Sequence, residues 1–326
     1  MWTAFILILP LTLSINPATW IGDNLNIIGD KTLKNLTMPG THDSGTYWLT
    51  TTPMPGDQSD LWEDLYKLAD ILDEDVGNVA KEWAQSQDKN FYQQMQGGIR
   101  YFDLRAGWQN NTKKWVTYHF VEGSPVQYLL GNISSYLHDY PKEIVIVEMS
   151  HFEGSPTSAE ITSLKNMVLN TLGPYLAPVD LSFNFTINQM INTGKRALVT
   201  MQQDYDSINI WPPSAIHNTY ADTSDLKDMV EYNNKTVAKF MNGTWPGTLF
   251  KISWTLTPDT DTVLESVLPW KPSTLLELAN NANKALPSFD TQMATYKWKA
   301  GNILIIDHFE NSVVLKAACG FNGIPY

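Results

Sequence analysis

The chain has 326 residues, enough for a full hydrophobic core and for one large α/β barrel or two ordinary domains. Its 43% hydrophobic and 17% charged residues are those of a globular protein. A formal net charge of −12 disfavours general nucleic-acid binding, because phosphates would repel the chain, and gives no long-range attraction to an anionic membrane.

Residues 1–14 read MWTAFILILPLTLS, apolar and uncharged, with small residues following up to Ala18. The length suits the apolar region of a signal peptide and is too short for a membrane span. A positive leader segment is missing, and a buried first strand is the competing reading. The expectation is a signal peptide over 1–18, a catalytic domain over 19–326, and a secreted protein. Six N-x-S/T sites, at Asn35, Asn110, Asn132, Asn184, Asn234 and Asn242, permit glycosylation without showing it. The single cysteine, Cys319, leaves no intrachain disulfide, which ordinarily favours a reducing compartment and so pulls the other way. No later stretch is apolar enough to cross a bilayer, so no integral membrane segment is expected.

Beyond the N-terminus, short apolar runs ending in polar or ionisable residues recur. In chain order they are Leu36 to Ser44, Gly98 to Arg105, Trp115 to Phe120, Glu143 to His151, Arg196 to Gln203, Thr248 to Thr255 and Asn302 to His308. Runs such as IVIV and ILII are β-branched and uninterrupted, the pattern of strands covered on both faces. Helical periodicity separates several of them, over Asp60 to Trp83, Val126 to Asp139, Ser158 to Leu172, Asp225 to Met241 and Thr274 to Ala285. Seven alternations predict a single irregular TIM-type (β/α) barrel with an eighth strand not located. In such a barrel the C-terminal strand ends share one face, so His42, Arg105, His119 and Asp307 would converge there.

Cutting a phosphodiester needs a base for the attacking hydroxyl, an acid for the leaving oxygen and a cation for the phosphate. Histidine suits the first two tasks because it titrates near neutrality. Arginine suits the third because its planar fork can hold two phosphate oxygens. Carboxylates beside the histidines fix their tautomers and stabilise the charged form.

The motifs M-P-G-T-H-D-S at 38–44, G-I-R-Y-F-D-L-R at 98–105, Y-H-F at 118–120 and I-I-D at 305–307 resemble the X-domain of phosphatidylinositol-specific phospholipase C. The likeness is to the metal-independent bacterial-type branch and its X-domain-only relatives, and it spans about residues 25–315. It implies that His42 is the general base toward the inositol 2-hydroxyl and His119 the acid toward the departing diacylglycerol oxygen. It implies that Arg105 neutralises the non-bridging oxygens, that Asp307 pairs with the base and Asp43 with the acid, and that Asp103 orients the arginine and the nucleophile. The implied partner is a phospholipid at a membrane surface, and the products are diacylglycerol and a cyclic inositol phosphate. No cofactor is expected. No metal is expected either, since Arg105 stands where a cation would sit. Glu148 is the residue that could overturn this by joining Asp43 and Asp103 around Ca²⁺ or Mg²⁺; otherwise it is a hydrogen-bonding group of the pocket.

Where the bacterial pocket uses basic and aromatic residues, this chain reads Met201-Gln202-Gln203-Asp204-Tyr205 and Trp254-Thr255-Leu256-Thr257-Pro258. Gln202, Tyr205 and Trp254 are therefore candidates for head-group binding, with Glu148. His151 and His308 follow strands and are candidate pocket residues; His138 and His217 read as surface residues and Cys319 as structural. The segment Asp57 to Asp75, with eight acidic residues and one lysine, reads either as a solvated helix or as a lid over the barrel mouth. Two competing functions stand beside the leading one. One is a metal-dependent lyase of the phospholipase D or sphingomyelinase D kind, acting on choline or ethanolamine lipids. The other is a catalytically inactive lipid- or glycan-binding homologue.

Overall fold

A computed structural model of the chain describes residues 15–56, 76–206, 208–244, 247–266, 274–295 and 301–326. The apolar run at 1–14 and the acidic segment at 57–75 lie outside the described residues.

Among the described residues ten strands form one sheet: β1 Met38–Thr41, β2 Leu49–Pro53, β3 Tyr101–Gln109, β4 Lys114–His119, β5 Val121–Pro125, β6 Val145–Glu153, β7 Ala197–Met201, β8 Ile216–Thr219, β9 Leu249–Trp254 and β10 Ile303–Ile306. Seven run parallel in the spatial order β7-β6-β3-β1-β10-β9-β8. This is an irregular TIM-type barrel whose hydrogen bonding does not close directly between β7 and β8; a single bridge from Thr200 to Trp211 stands at that seam.

Two strand expectations need correction. The run Trp115 to Phe120 is no barrel strand: β4 turns back antiparallel on β3 and, with β5 and β2, makes a ribbon above the barrel mouth. The strand missing from the sequence reading is β8, whose four residues Ile-His-Asn-Thr carry too little apolar signal to be noticed.

Side-chain alternation explains why the barrel strands read as unbroken apolar runs. Phe102, Leu104, Val145, Val147, Ile252 and Leu304 point outward into the layer shared with the helices. Tyr101, Ile146, Leu198, Ile303 and Ile305 point the other way and fill the lower lumen, which is closed from below by Trp20, Ile21, Ile28 and Leu36. Gly40 is required here, because a Cβ would meet the Tyr101 ring at 2.7 Å.

Helices Val126–Asp139 and Ser158–Leu172 have the expected bounds. The second begins with a capping box, Thr157 accepting from the Glu160 amide while the Glu160 carboxylate accepts from the Thr157 amide. The helix expected over Thr274 to Ala285 runs on to Leu275–Thr295, through Pro287. Of the helix expected from Asp60, the described part is Val76–Ala84.

The first arginine of the G-I-R-Y-F-D-L-R motif belongs to the frame. Arg100 is fully buried, pairs with Glu143 at 2.6 Å, and donates to the Pro17 and Ala18 carbonyls, tying the N-terminal segment under the barrel. Cys319 is buried on the same side, and burial pushes its thiol up to about 12, the state of an inert structural cysteine. Among the described residues, no helix is long and apolar enough to cross a membrane.

Candidate functional site

Three of the candidate residues stand at strand corners. His42 follows β1, His119 ends β4, and Asp307 follows β10. The residues next in sequence, Asp43, Phe120 and His308, all adopt left-handed backbone, with φ of 40°, 57° and 45°. For non-glycine residues this costs about 1–2 kcal/mol each and recurs where surrounding contacts hold a functional geometry. At Phe120 the corner is tight enough that His119 and Val121 pair across it. Gly45 permits the ribbon to close down, since a Cβ there would strike the Thr117 side chain at 2.3 Å.

Asp103 and Arg105 come from the lumen-facing side of β3 rather than from its end. Opposite them the ladder to β6 shifts register between Leu104 and Arg105, leaving Ser150 as the extra residue. Such a bulge re-aims a side chain, and here the Ser150 hydroxyl donates to Asp103 at 3.0 Å.

The charged groups assemble around Asp43, which is 1% exposed. The Arg105 Nε lies 2.5 Å from Asp43 Oδ1. Asp43 Oδ2 lies 3.4 Å from His42 Nε2 and 3.4 Å from His119 Nδ1, so one carboxylate oxygen stands between both imidazoles. His42 Nδ1 is fixed by Asp307 Oδ1 at 2.9 Å. His119 Nδ1 donates to the Ala84 carbonyl at 2.9 Å, which leaves its Nε2 for a further partner. The expected pairing of His119 with Asp43 is thus one half of a shared arrangement.

Protonation follows from these neighbours. Burial pulls His42 down, but the Asp43 and Asp307 carboxylates outweigh it and raise it to about 9. His119 is buried too and has a single carboxylate beside it; burial, with Arg105 and His42 nearby, holds it below its ordinary value. At neutral pH the pair therefore carries one proton, on His42. Burial opposes ionisation of Asp43, yet Arg105 and the two imidazoles hold it below the usual carboxylate range. Asp103 is likewise held down by Lys251 and Arg105 against the effect of burial.

Two cavities open on this cluster and share His42, Arg105 and Tyr220 as a common wall. The first, about 230 Å³, adds His119 and Asp307 and is otherwise mainly apolar. The second, about 180 Å³, is polar, adding Asp103, Ser150, His151, Asn218, Lys251 and Ser253. His119 lines the first cavity and is absent from the second, whereas Asp103 and Lys251 line only the second.

The weaker candidates fare unevenly. Glu148 is buried, accepts from Lys251 Nζ at 2.6 Å and from the Tyr101 hydroxyl, and so is neutralised inside the barrel. Trp254 is corrected: its fully buried indole donates to the Ala282 carbonyl and packs on Phe289, on the helix side of β9. Strand alternation sends Lys251 and Ser253 into the lumen and therefore Trp254 out of it. Gln202 and the half-exposed Tyr205 line neither cavity. The basic residue that seemed missing from the pocket is Lys251, in the middle of β9. Its signal was a lysine inside the otherwise apolar run Leu249–Trp254. Tyr220, whose ring centroid lies 6.5 Å from that of His42, had no signal beyond its place after β8.

His42, Asp43 and Asp103 each offer a ligand atom within 4.8 Å of one another, the one such grouping among the described residues. Both carboxylates of that set are already faced by fixed cations, Asp43 by Arg105 and Asp103 by Lys251 and Arg105.

No family model matches the chain. Human PI-PLC X domain-containing protein 2 is 25% identical over 285 residues, 84% of this chain and 88% of that protein. A PI-PLC X-box domain-containing protein of Dictyostelium discoideum is 26% identical over 217 residues, which is 62% of this chain and only 27% of that longer protein. Among solved structures, the phosphatidylinositol-specific phospholipase C of Listeria monocytogenes superposes with a TM-score of 0.63 at 19% identity, covering 94% of this chain and 99% of its own. Sequence relatives and solved fold thus meet on one family, the phosphatidylinositol-specific phospholipase C X-domain proteins, which the motifs of this chain resemble.

Proposed function

We propose that the protein is a phosphodiesterase that cleaves phosphatidylinositol-type lipids by general acid–base catalysis. The observation that carries this is the pair of imidazoles sharing the Asp43 carboxylate that is paired with Arg105, His42 lining both cavities and His119 only the mainly apolar one. The polar cavity suits the sugar that bears the attacking hydroxyl. His42 Nε2 takes that hydroxyl proton as the oxygen bonds to phosphorus. Arg105 neutralises the non-bridging oxygens. The bond from phosphorus to the leaving oxygen breaks, and His119 Nε2 donates its proton there. The products are diacylglycerol and a cyclic inositol phosphate.

This step needs the pair's proton on His119, whereas the free protein keeps it on His42. A phosphate monoanion seated on Arg105 raises His119, whose Nε2 takes up a proton from solvent as His42 Nε2 releases its own. With the proton on His42 the same site is set for the second step, in which His119 activates water and His42 protonates the ring oxygen as the cyclic phosphate opens.

Turnover independent of a divalent ion is part of this proposal, because a metal at His42, Asp43 and Asp103 would meet the Arg105 guanidinium. The carboxylates of that grouping are what favour the alternative, a metal-dependent lyase. Secretion is proposed as well, on the apolar N-terminal run; appearance in the culture medium tests it.

The test of the chemistry is release of cyclic phosphate from phosphatidylinositol vesicles, followed by phosphorus NMR with and without EDTA. His42→Ala and His119→Ala should each cost several orders of magnitude in rate, and EDTA should change nothing. A loss under about tenfold for either variant contradicts the assignment. Activity abolished by EDTA and restored by Mg²⁺ or Ca²⁺ moves the protein to the metal-dependent reading.

A further inference from the structure

The cavity beside His119 shares His42 and Arg105 with the charged cluster and extends away from it over mainly apolar walls. Its walls away from the charged cluster are Trp83, Phe120, Leu256, Pro258, Val263 and Leu275. They come from separate parts of the chain: helix Val76–Ala84, the corner at Phe120, the stretch from Leu256 to Val263, and Leu275 at the start of helix Leu275–Thr295. Trp83, Val263 and Leu275 pack as one cluster with Ala84 and Val121, and Phe120 packs against it. His119 is built into that wall. Its ring stacks on Phe120 at 4.4 Å and its Nδ1 is held by the Ala84 carbonyl at 2.9 Å. The imidazole that would protonate a leaving oxygen therefore stands where the polar cluster becomes an apolar chamber.

We propose that this chamber is a leaving-group site, taking a single alkyl segment of the alcohol that departs from phosphorus. The inference rests on the function proposed above and names the part of the substrate which that reading leaves undefined. The occupant follows from three features: the chamber adjoins the acid, its remote lining lacks charge, and its volume is about 230 Å³. An apolar cavity of about 150 Å³ accommodates benzene, so this one, charged end included, has room for at most roughly nine carbon atoms. Two full acyl chains cannot enter. A glyceryl unit with the first carbons of one chain, or one short alkyl chain, can. The protein then binds part of the lipid's apolar portion itself, and a monomeric substrate is turned over without a bilayer.

The test uses soluble inositol phosphodiesters with methyl, butyl, octyl and dodecyl leaving groups, each below its micelle concentration. The expected result is that kcat/KM climbs by up to about fourfold per methylene and levels off by roughly nine carbons. Pro258→Trp, in the loop before helix Thr260–Glu265, and Val263→Phe narrow the chamber from two sides. Each should flatten the dependence on chain length, bringing the ratio of octyl to methyl kcat/KM down toward one. Thermal melts of both variants separate misfolding from loss of the site. Calorimetry with uncleavable alkyl phosphonates gives a readout independent of turnover, and affinity should rise with chain length in wild type and not in the variants. If the methyl ester is cleaved but neither rate nor affinity depends on chain length, the leaving-group site is wrong and the proposed chemistry stands. If no diester is cleaved but the phosphonates bind with chain-length dependence, the chamber stands and the chemistry falls. If neither cleavage nor binding occurs, both fall.

Discussion

Replacing His42 by asparagine should alter how stability responds to pH, and the size of the change follows from the site. In the folded protein the Asp43 and Asp307 carboxylates, working against burial, raise His42 to about 9, from 6.5 in the unfolded chain. The imidazole is 14% exposed, so solvent screening is modest. The difference corresponds to about 3 kcal/mol. The sign is that of a raised histidine. Below pH 6.5 both states are protonated and the contribution is complete; it declines as pH rises and is gone above about 9. His308 is also raised, its burial more than offset by Asp88, and adds a slope of the same sign. That slope is common to both proteins, so their difference isolates His42. His119, held low, titrates below this window. Urea unfolding at intervals between pH 6 and 10 should therefore show wild type losing about 3 kcal/mol more than His42→Asn across the range. Parallel curves for the two proteins would refute the placement of both carboxylates on His42.

Other consequences are open to direct measurement. Arg105→Lys keeps the charge but loses the planar fork beside Asp43, and should lower kcat by at least a hundredfold with an unchanged melting temperature. Lys251→Met strands the buried Glu148 carboxylate and should cost about 3–5 kcal/mol of stability by urea unfolding, most of it recovered in the double variant Lys251→Met/Glu148→Met. Arg100→Ala likewise leaves Glu143 buried and releases the Pro17 and Ala18 carbonyls; it should cost about 3–5 kcal/mol and expose the N-terminal segment to proteolysis.

The sequence disclosed those parts that depend on local pattern. Helix Ser158–Leu172 could be read from its apolar periodicity, and β6 and β10 because runs buried on both faces stay uniformly apolar. What resisted were decisions made by tertiary geometry. The run Trp115 to Phe120 has the composition of any half-buried strand, and only its pairing shows that it returns antiparallel on β3. Trp254 and Lys251 sit three residues apart on one strand, and register alone puts the lysine in the pocket and the tryptophan in the outer core. At the site, His42 with Asp307 could be expected from the motifs, but Asp43 standing between both imidazoles could not. That arrangement depends on a left-handed corner at a position whose sequence reads simply as an aspartate.

The three left-handed corners at Asp43, Phe120 and His308 carry a consequence for how the protein fails. Each is a loaded spring, kept cocked only while the ribbon, the neighbouring helices and the barrel rim all press on it. Loosening any one of these supports lets its corner relax toward ordinary right-handed backbone, swinging a histidine or a carboxylate out of line while the barrel beneath remains folded. Gentle warming should therefore silence the site several degrees before it melts the scaffold, with recovery on cooling.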